Sequence, residues 1–213
     1  MNKEIRIGNK VISQDSPAFT IAEMSGNHNM DFERAAAIVR AAKEAGADAI
    51  KLQTYTADTI TLDCEDPCFR LEQDALWDGM ILHKLYQQAY TPWEWQPRLK
   101  KLADELGIIL FSSPFDLTSV DFLEEMDVPA YKVASSEIND IPLLTKIAKT
   151  GKPIIISTGI AYMEDKERAL RTCQEAGYEN VILIKCSPAY PAPYEEINLK
   201  MIPNMKETFD SIT

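Results

Sequence analysis

Basic charge and histidine are both scarce in this chain. Its 213 residues hold 22 Lys and Arg against 33 Asp and Glu, and two histidines. The net charge of −11 argues against nucleic acid or an anionic membrane as partner. His28 and His83 alone are too few to build a metal centre. Cysteine is sparse as well. Cys64 and Cys68 form the one close pair among four cysteines, and their spacing fits neither a zinc nor a redox motif. No apolar run approaches the length of a membrane span, and the opening MNKEIRIGNK has no apolar core of signal-peptide size, so a cytoplasmic protein is expected. Neither G-x-G-x-x-G nor a P-loop occurs, which sets aside dinucleotide binding and ordinary nucleotide hydrolysis.

What the chain does have is a repeat. Six short apolar runs each end in a burst of polar side chains: IAEMSGNHN (21–29), IKLQT (50–54), LFSSPFD (110–116), YKVASSE (131–137), IIISTG (154–159) and LIKCSPAYP (183–191). Amphipathic stretches lie between most of them, and Gly46, Gly107, Gly151 and Gly177 close four of these shortly before the next strand. This alternation predicts an α/β fold of the TIM-type (β/α) barrel kind, with chemistry at the C-terminal strand ends. The count stops at six units where a complete barrel needs eight, so the expected architecture is a barrel interrupted after six βα units. With 46% apolar residues the chain can bury one good-sized core.

Residues 4–13 alternate apolar and polar around Gly8-Asn9, which predicts a hairpin, and residues 1–17 are assigned to an N-terminal cap before the barrel at 18–213. Buried strand one is expected over 19–23. Asp31, Asp116 and Asp140 are predicted helix caps. Thr91-Pro92-Trp93-Glu94 predicts a capping box opening a helix to residue 106. The interval 55–90 contains no strand pattern and reads as an enlarged loop followed by a helix.

Strand periodicity places Lys51 and Gln53 on one face and Ile50 and Leu52 on the other. Lys132 repeats the device in the fourth run, and Lys185 is assigned to the sixth. A lysine inside a parallel strand is costly unless it meets an anion or a carboxylate. Three together favour a bound anionic ligand, with pairing to buried Asp or Glu as the alternative. Ser112, Ser113, Ser135, Ser136, Ser157, Thr158 and Ser187 cluster at the same level and suit phosphate or carboxylate oxygens. Glu23 ends the first run as a candidate general acid/base, or as the partner of Lys51. His28 is either a ligand or a loop hydrogen-bonder.

The segments IAEMSGNHN, AIKLQTY, WDGMILHKLY, TPWEW, LFSSPFD, AYKVASSE, ISTG and CSPAYPAP together resemble the sialic-acid synthase family, and the WDGM and TPWEW segments resemble its pseudaminic acid synthase branch more than its N-acetylneuraminate branch. The resemblance covers nearly the whole chain. It implies condensation of phosphoenolpyruvate with an N-acetylated, specifically di-N-acetylated 6-deoxy, hexose to a nine-carbon keto acid and phosphate. An N-acetylneuraminate or legionaminic acid synthase is the alternative, and a non-catalytic remnant that only binds or associates is another. A different barrel aldolase using a lysine Schiff base is a weaker reading.

Carried over by position, the resemblance makes Glu23, Lys51 and Lys132 catalytic. Gln53 accompanies Lys51, while Ser113, Lys132, Ser135 and Ser157 hold phosphoenolpyruvate, and Tyr190 lies near the sugar. Pro188 replaces an asparagine and Lys185 a frequent histidine of the N-acetylneuraminate branch, which fits a different sugar. A divalent Mn or Mg ion is expected for the family. Its two histidine ligands lie in family members on two further strands, followed by an antifreeze-like domain, and the members are homodimers. None of this follows Thr213 in the sequence, so no metal ligands and no synthase activity are expected of these 213 residues alone.

Overall fold

The computed structural model describes residues 2–71, 77–187 and 192–213. In chain order the elements are strands β1 (Glu4–Ile7), β2 (Lys10–Ser13) and β3 (Ile21–Glu23), helix α1 (Phe32–Glu44), β4 (Ala49–Thr54), α2 (Ala57–Ile60), α3 (Leu82–Ala89), α4 (Gln96–Leu106), β5 (Ile109–Pro114), α5 (Leu117–Glu125), β6 (Tyr131–Val133), α6 (Ile141–Lys149), β7 (Ile154–Ser157), α7 (Met163–Glu175), β8 (Val181–Ile184) and α8 (Met201–Phe209). The chain divides into two compact units. The first is Thr20–Ser119, and the second joins the residues up to Phe19 with Val120–Thr213. Among the described residues no helix is long and apolar enough to cross a membrane.

In the first unit β3, β4 and β5 pair in parallel, with Glu23 opposite Lys51 and Gln53 opposite Ser113. Strand pleating sends Ile50 and Leu52 to the side where α1 and α4 pack. There they are buried among Ala35, Val39, Leu99, Ala103 and Leu110. Lys51 and Gln53 take the opposite side. Asp31 caps α1 by accepting from the Glu33 and Arg34 N–H groups. The expected capping box at Thr91 does not form. Pro92 opens a single 3-10 turn, α4 begins at Gln96, and the Thr91 hydroxyl turns inward instead. Gly107 ends α4 at φ 68°, a left-handed position that an L side chain adopts only with strain. The described residues of the interval 55–90 form α2, a 3-10 turn at Pro67–Phe69 and α3, with an isolated antiparallel bridge between Arg70 and Ile81.

The second unit carries β6, β7 and β8, again parallel, with Tyr131 opposite Ile154 and Ser157 opposite Ile184. Asp140 caps α6 through the Leu143 N–H. The hairpin β1–β2 forms as expected, with Ile5 and Ile7 buried. It belongs to this unit, and Lys3 pairs with Asp210 at the end of α8. Strand one is shorter than expected, starting at Ile21, and β8 ends one residue before Lys185. Each of the six strands β3 to β8 is followed by helical structure, so the parallel α/β reading holds in both units.

Candidate functional site

In the first unit, the β3–β4 register sets Glu23 beside Lys51, and the two side chains form an ion pair. The Lys51 side chain is 12% exposed and that of Glu23 40%, so the ammonium is the member that depends on its partner. Glu23 Oε1 also accepts the Ser25 N–H at 3.0 Å, which fixes the carboxylate at the strand end. The pairing alternative for Glu23 and Lys51 is therefore the arrangement present. Gln53 and Ser113 face each other across β4 and β5, with Ser113 buried. Tyr55, just beyond β4, packs edge-on against Tyr86 and Phe115, and burial pushes its hydroxyl well above the usual tyrosine range.

His28 is a loop hydrogen-bonder. Its Nδ1 accepts the Met30 N–H at 3.1 Å, so Nε2 carries the proton and donates to Thr91 Oγ1 at 3.2 Å. Full burial against Trp95 lowers its pKa, which keeps the ring neutral.

In the second unit, Lys132 is buried on β6. Its ammonium donates to the Val133 carbonyl at 2.9 Å and to Ser157 Oγ on β7. The Cys186 thiol reaches the same Ser157 oxygen at 3.1 Å from the segment after β8. Ser135 Oγ accepts the Gly159 N–H at 3.0 Å. A methyl group added at Gly159 would come within 3.1 Å of Ser135 Oγ and 3.3 Å of Cys186 Cβ, so only glycine lets these three segments approach. Three strand ends are thus stitched together around one buried cation. Lys185 lies outside the strand and donates to Ser187 Oγ at 3.0 Å.

Glu137 follows in the same segment and receives the Ser136 hydroxyl at 2.8 Å. Burial raises its pKa above the ordinary 4.5, more than the Ser136 hydrogen bond and the Lys132 ammonium pull it down. The folded state thus binds the proton of this carboxyl more tightly than the unfolded chain does. Its stabilising contribution is complete below about pH 4.5 and is lost as pH rises through the higher folded value. The Glu137→Gln variant is expected to unfold at higher urea than the parent at pH 7 and to match it at pH 4. Equal midpoints at both pH values would show that the carboxyl is not destabilised by burial.

Of the residues singled out in the sequence, the first unit joins Glu23 to Lys51 and sets Gln53 opposite Ser113. The second joins Lys132 to Ser157 and places Ser135 on Gly159. Tyr190 and Pro188 lie outside the described residues. Gly159, Cys186 and Glu137 were not assigned roles from sequence, although each sits inside a polar strand-end burst. Among the described residues no group of three or more His, Cys, Asp or Glu is placed to hold a metal ion. The described residues do not by themselves supply a ligand set for the divalent cation expected of the family.

The NeuB family model matches residues 38–213. The pseudaminic acid synthase of Campylobacter jejuni subsp. jejuni serotype O:23/36 (strain 81-176) is 43% identical over 206 residues, covering 97% of this chain and 59% of that protein. That of Helicobacter pylori (strain ATCC 700392 / 26695) is 42% identical over 193 residues, covering 91% of this chain and 56% of that protein. The chain therefore spans well under two thirds of these relatives' length. Among solved structures, an N-acetylneuraminic acid (sialic acid) synthetase from Leptospira borgpetersenii serovar Hardjo-bovis, in complex with citrate, superposes with a TM-score of 0.86 at 28% identity, covering 98% of this chain and 67% of that one. With a family model matched over most of its length and a relative 43% identical across 97% of it, the chain belongs to the NeuB family.

Proposed function

We propose that this chain serves the synthesis of a nonulosonic acid of the pseudaminic type, from phosphoenolpyruvate and a di-N-acetylated 6-deoxy hexose. The observation that carries the reading is the buried Lys132 ammonium, held by Ser157 and the Val133 carbonyl with Ser135 and Gly159 alongside. A buried cation bonded to one strand-end hydroxyl, with the Ser135 hydroxyl just beyond the same strand, is suited to a ligand with several anionic oxygens. Identity to relatives named pseudaminic acid synthase supports the choice of sugar.

In the proposed reaction C3 of phosphoenolpyruvate bonds to the aldehyde carbon, and the aldehyde oxygen takes up a proton. Water then adds at C2, and phosphate leaves with its bridging oxygen as that C–O bond breaks. Lys132, Ser135 and Ser157 bind the donor, and Ser113 keeps the donor-binding role given by the family pattern. Glu23, oriented by Lys51 and the Ser25 N–H, positions the sugar and handles its protons, with Gln53 beside it. Tyr190 is proposed near the sugar. The (β/α) barrel and the homodimer of the family belong to the same proposal.

Binding is the property these residues are proposed to supply, so calorimetry of the purified protein with phosphoenolpyruvate is the test. Saturable binding to one site per chain, tighter than pyruvate or inorganic phosphate, is expected. Saturation-transfer NMR in the presence of phosphoenolpyruvate should then detect the di-N-acetylated 6-deoxy sugar in preference to N-acetylmannosamine. The reverse sugar preference would favour an N-acetylneuraminate synthase. Absence of saturable phosphoenolpyruvate binding would overturn the reading.

A further inference from the structure

Five buried polar residues of the first unit form one continuous chain of hydrogen bonds, and none of them has a substrate role in the proposed function, Ser112 turning from the strand-end hydroxyls into this chain. His28 donates to Thr91 Oγ1 at 3.2 Å. The Gln96 amide, at the start of α4, donates to the Thr91 carbonyl at 3.3 Å and to the Gln53 carbonyl at 3.4 Å. Its Oε1 accepts the Thr54 hydroxyl at 2.8 Å. Thr54 Oγ1 lies 2.6 Å from Ser112 Oγ, and since Thr54 has given its one proton to Gln96, Ser112 is the donor there. All five side chains are buried, so each bond is protected from exchange with water.

We propose that Gln96 is a positioning residue, and that the chain from His28 to Ser112 acts as a clamp fixing the register of the β4 and β5 ends. The need for a clamp is visible in the sequence. Adjacent positions at these ends are chemically alike: Ser112 next to Ser113, and Gln53 next to Thr54. A slip of one residue in β5 would exchange Ser113 for Ser112 on the face shared with Lys51, and because β5 is buried along both faces from Leu110 to Pro114, its apolar pattern alone does not choose between the two. The clamp removes the degeneracy by tying Thr54 and Ser112 to the α4 side, which leaves Gln53 and Ser113 to the other. Gln96 admits one orientation here. Turned over, its carbonyl would face two carbonyls and its amide hydrogens would face the Thr54 hydroxyl.

The assignment of Ser113 to phosphoenolpyruvate rests on the function proposed above; the clamp itself does not. The deciding variants are Thr54→Val, which keeps shape and removes the hydroxyl, Thr54→Ser, which restores it, and Val39→Ala, which weakens the same unit without touching the clamp. Native-state hydrogen exchange of the Gln53 and Ser113 amides is read by NMR, and phosphoenolpyruvate affinity by calorimetry.

Thr54→Val is expected to speed exchange at these two amides at least tenfold beyond the unit's average and to weaken binding at least tenfold. Thr54→Ser should bring both back to within about threefold of the parent, and Val39→Ala should raise exchange evenly and leave affinity unchanged. Exchange in Thr54→Val no more local than in Val39→Ala, or no rescue by serine, would overturn the clamp. A parent protein that does not bind phosphoenolpyruvate would count against the proposed function, and the exchange comparison would then decide the clamp alone.

Discussion

Replacing Lys132 by methionine is expected to weaken phosphoenolpyruvate binding about a hundredfold, roughly 2.7 kcal/mol, while the protein still folds. The two effects separate because they answer to different physics. Burying an ammonium among strands is expensive, and a methionine of similar length removes that expense, so stability should hold or rise. Ser157 keeps the Cys186 thiol as a partner after the change, so the loss leaves no hydroxyl stranded. An anionic ligand, by contrast, loses the positive charge that offsets its own desolvation. Lys132→Arg is no substitute, since the wider planar guanidinium does not fit the position between Val133 and Ser157, and at least a tenfold loss is expected. Calorimetry and urea denaturation on the same samples check both halves. Unchanged affinity in Lys132→Met would remove the central support for the proposed function.

Leu52→Ala is expected to cost about 2–5 kcal/mol, and Lys51→Ala, one residue away, about 1 kcal/mol or less. Leu52 is wholly buried between α1 and α4, where its removal leaves a cavity that packed helices cannot fill. Lys51 points to the other face, and its partner Glu23 is exposed enough to be rehydrated when the lysine goes. The leucine variant should melt on the order of 10 °C lower, with the lysine variant within a few degrees of the parent. Equal losses for the two would show that the pleat does not divide core from site at this strand.

That contrast was legible in the sequence because a strand's alternation depends on nothing beyond the strand. Asp31, Asp116 and Asp140 were legible for the same reason, since each bonds backbone N–H groups two or three residues away. The four glycines ending helices all adopt positive φ, between 68° and 84°. Where the local code misled, a distant partner had won. Thr91 has the right neighbours for a capping box, yet its hydroxyl takes the proton of His28, 63 residues earlier. Cys186 and Gly159 acquire their significance from Ser157 and Ser135 on neighbouring strand ends, which no spacing along the chain reports. The apolar neighbours of Lys185 predict a strand position, but the ladder with β7 closes at Ile184.

The pairing of Lys3 with Asp210 carries a consequence for synthesis. These residues are 207 positions apart, so Lys3, once made, must wait with its hairpin for 207 further residues before it meets that partner. At about 5–20 residues per second the delay is roughly 10–40 s. The first unit, by contrast, is one uninterrupted stretch whose strands and helices find each other as they appear. During that interval the nascent protein presents a finished first unit and a hairpin still without Asp210. Ile5 and Ile7, buried once the second unit has folded, are until then surface that a chaperone at the exit tunnel would meet.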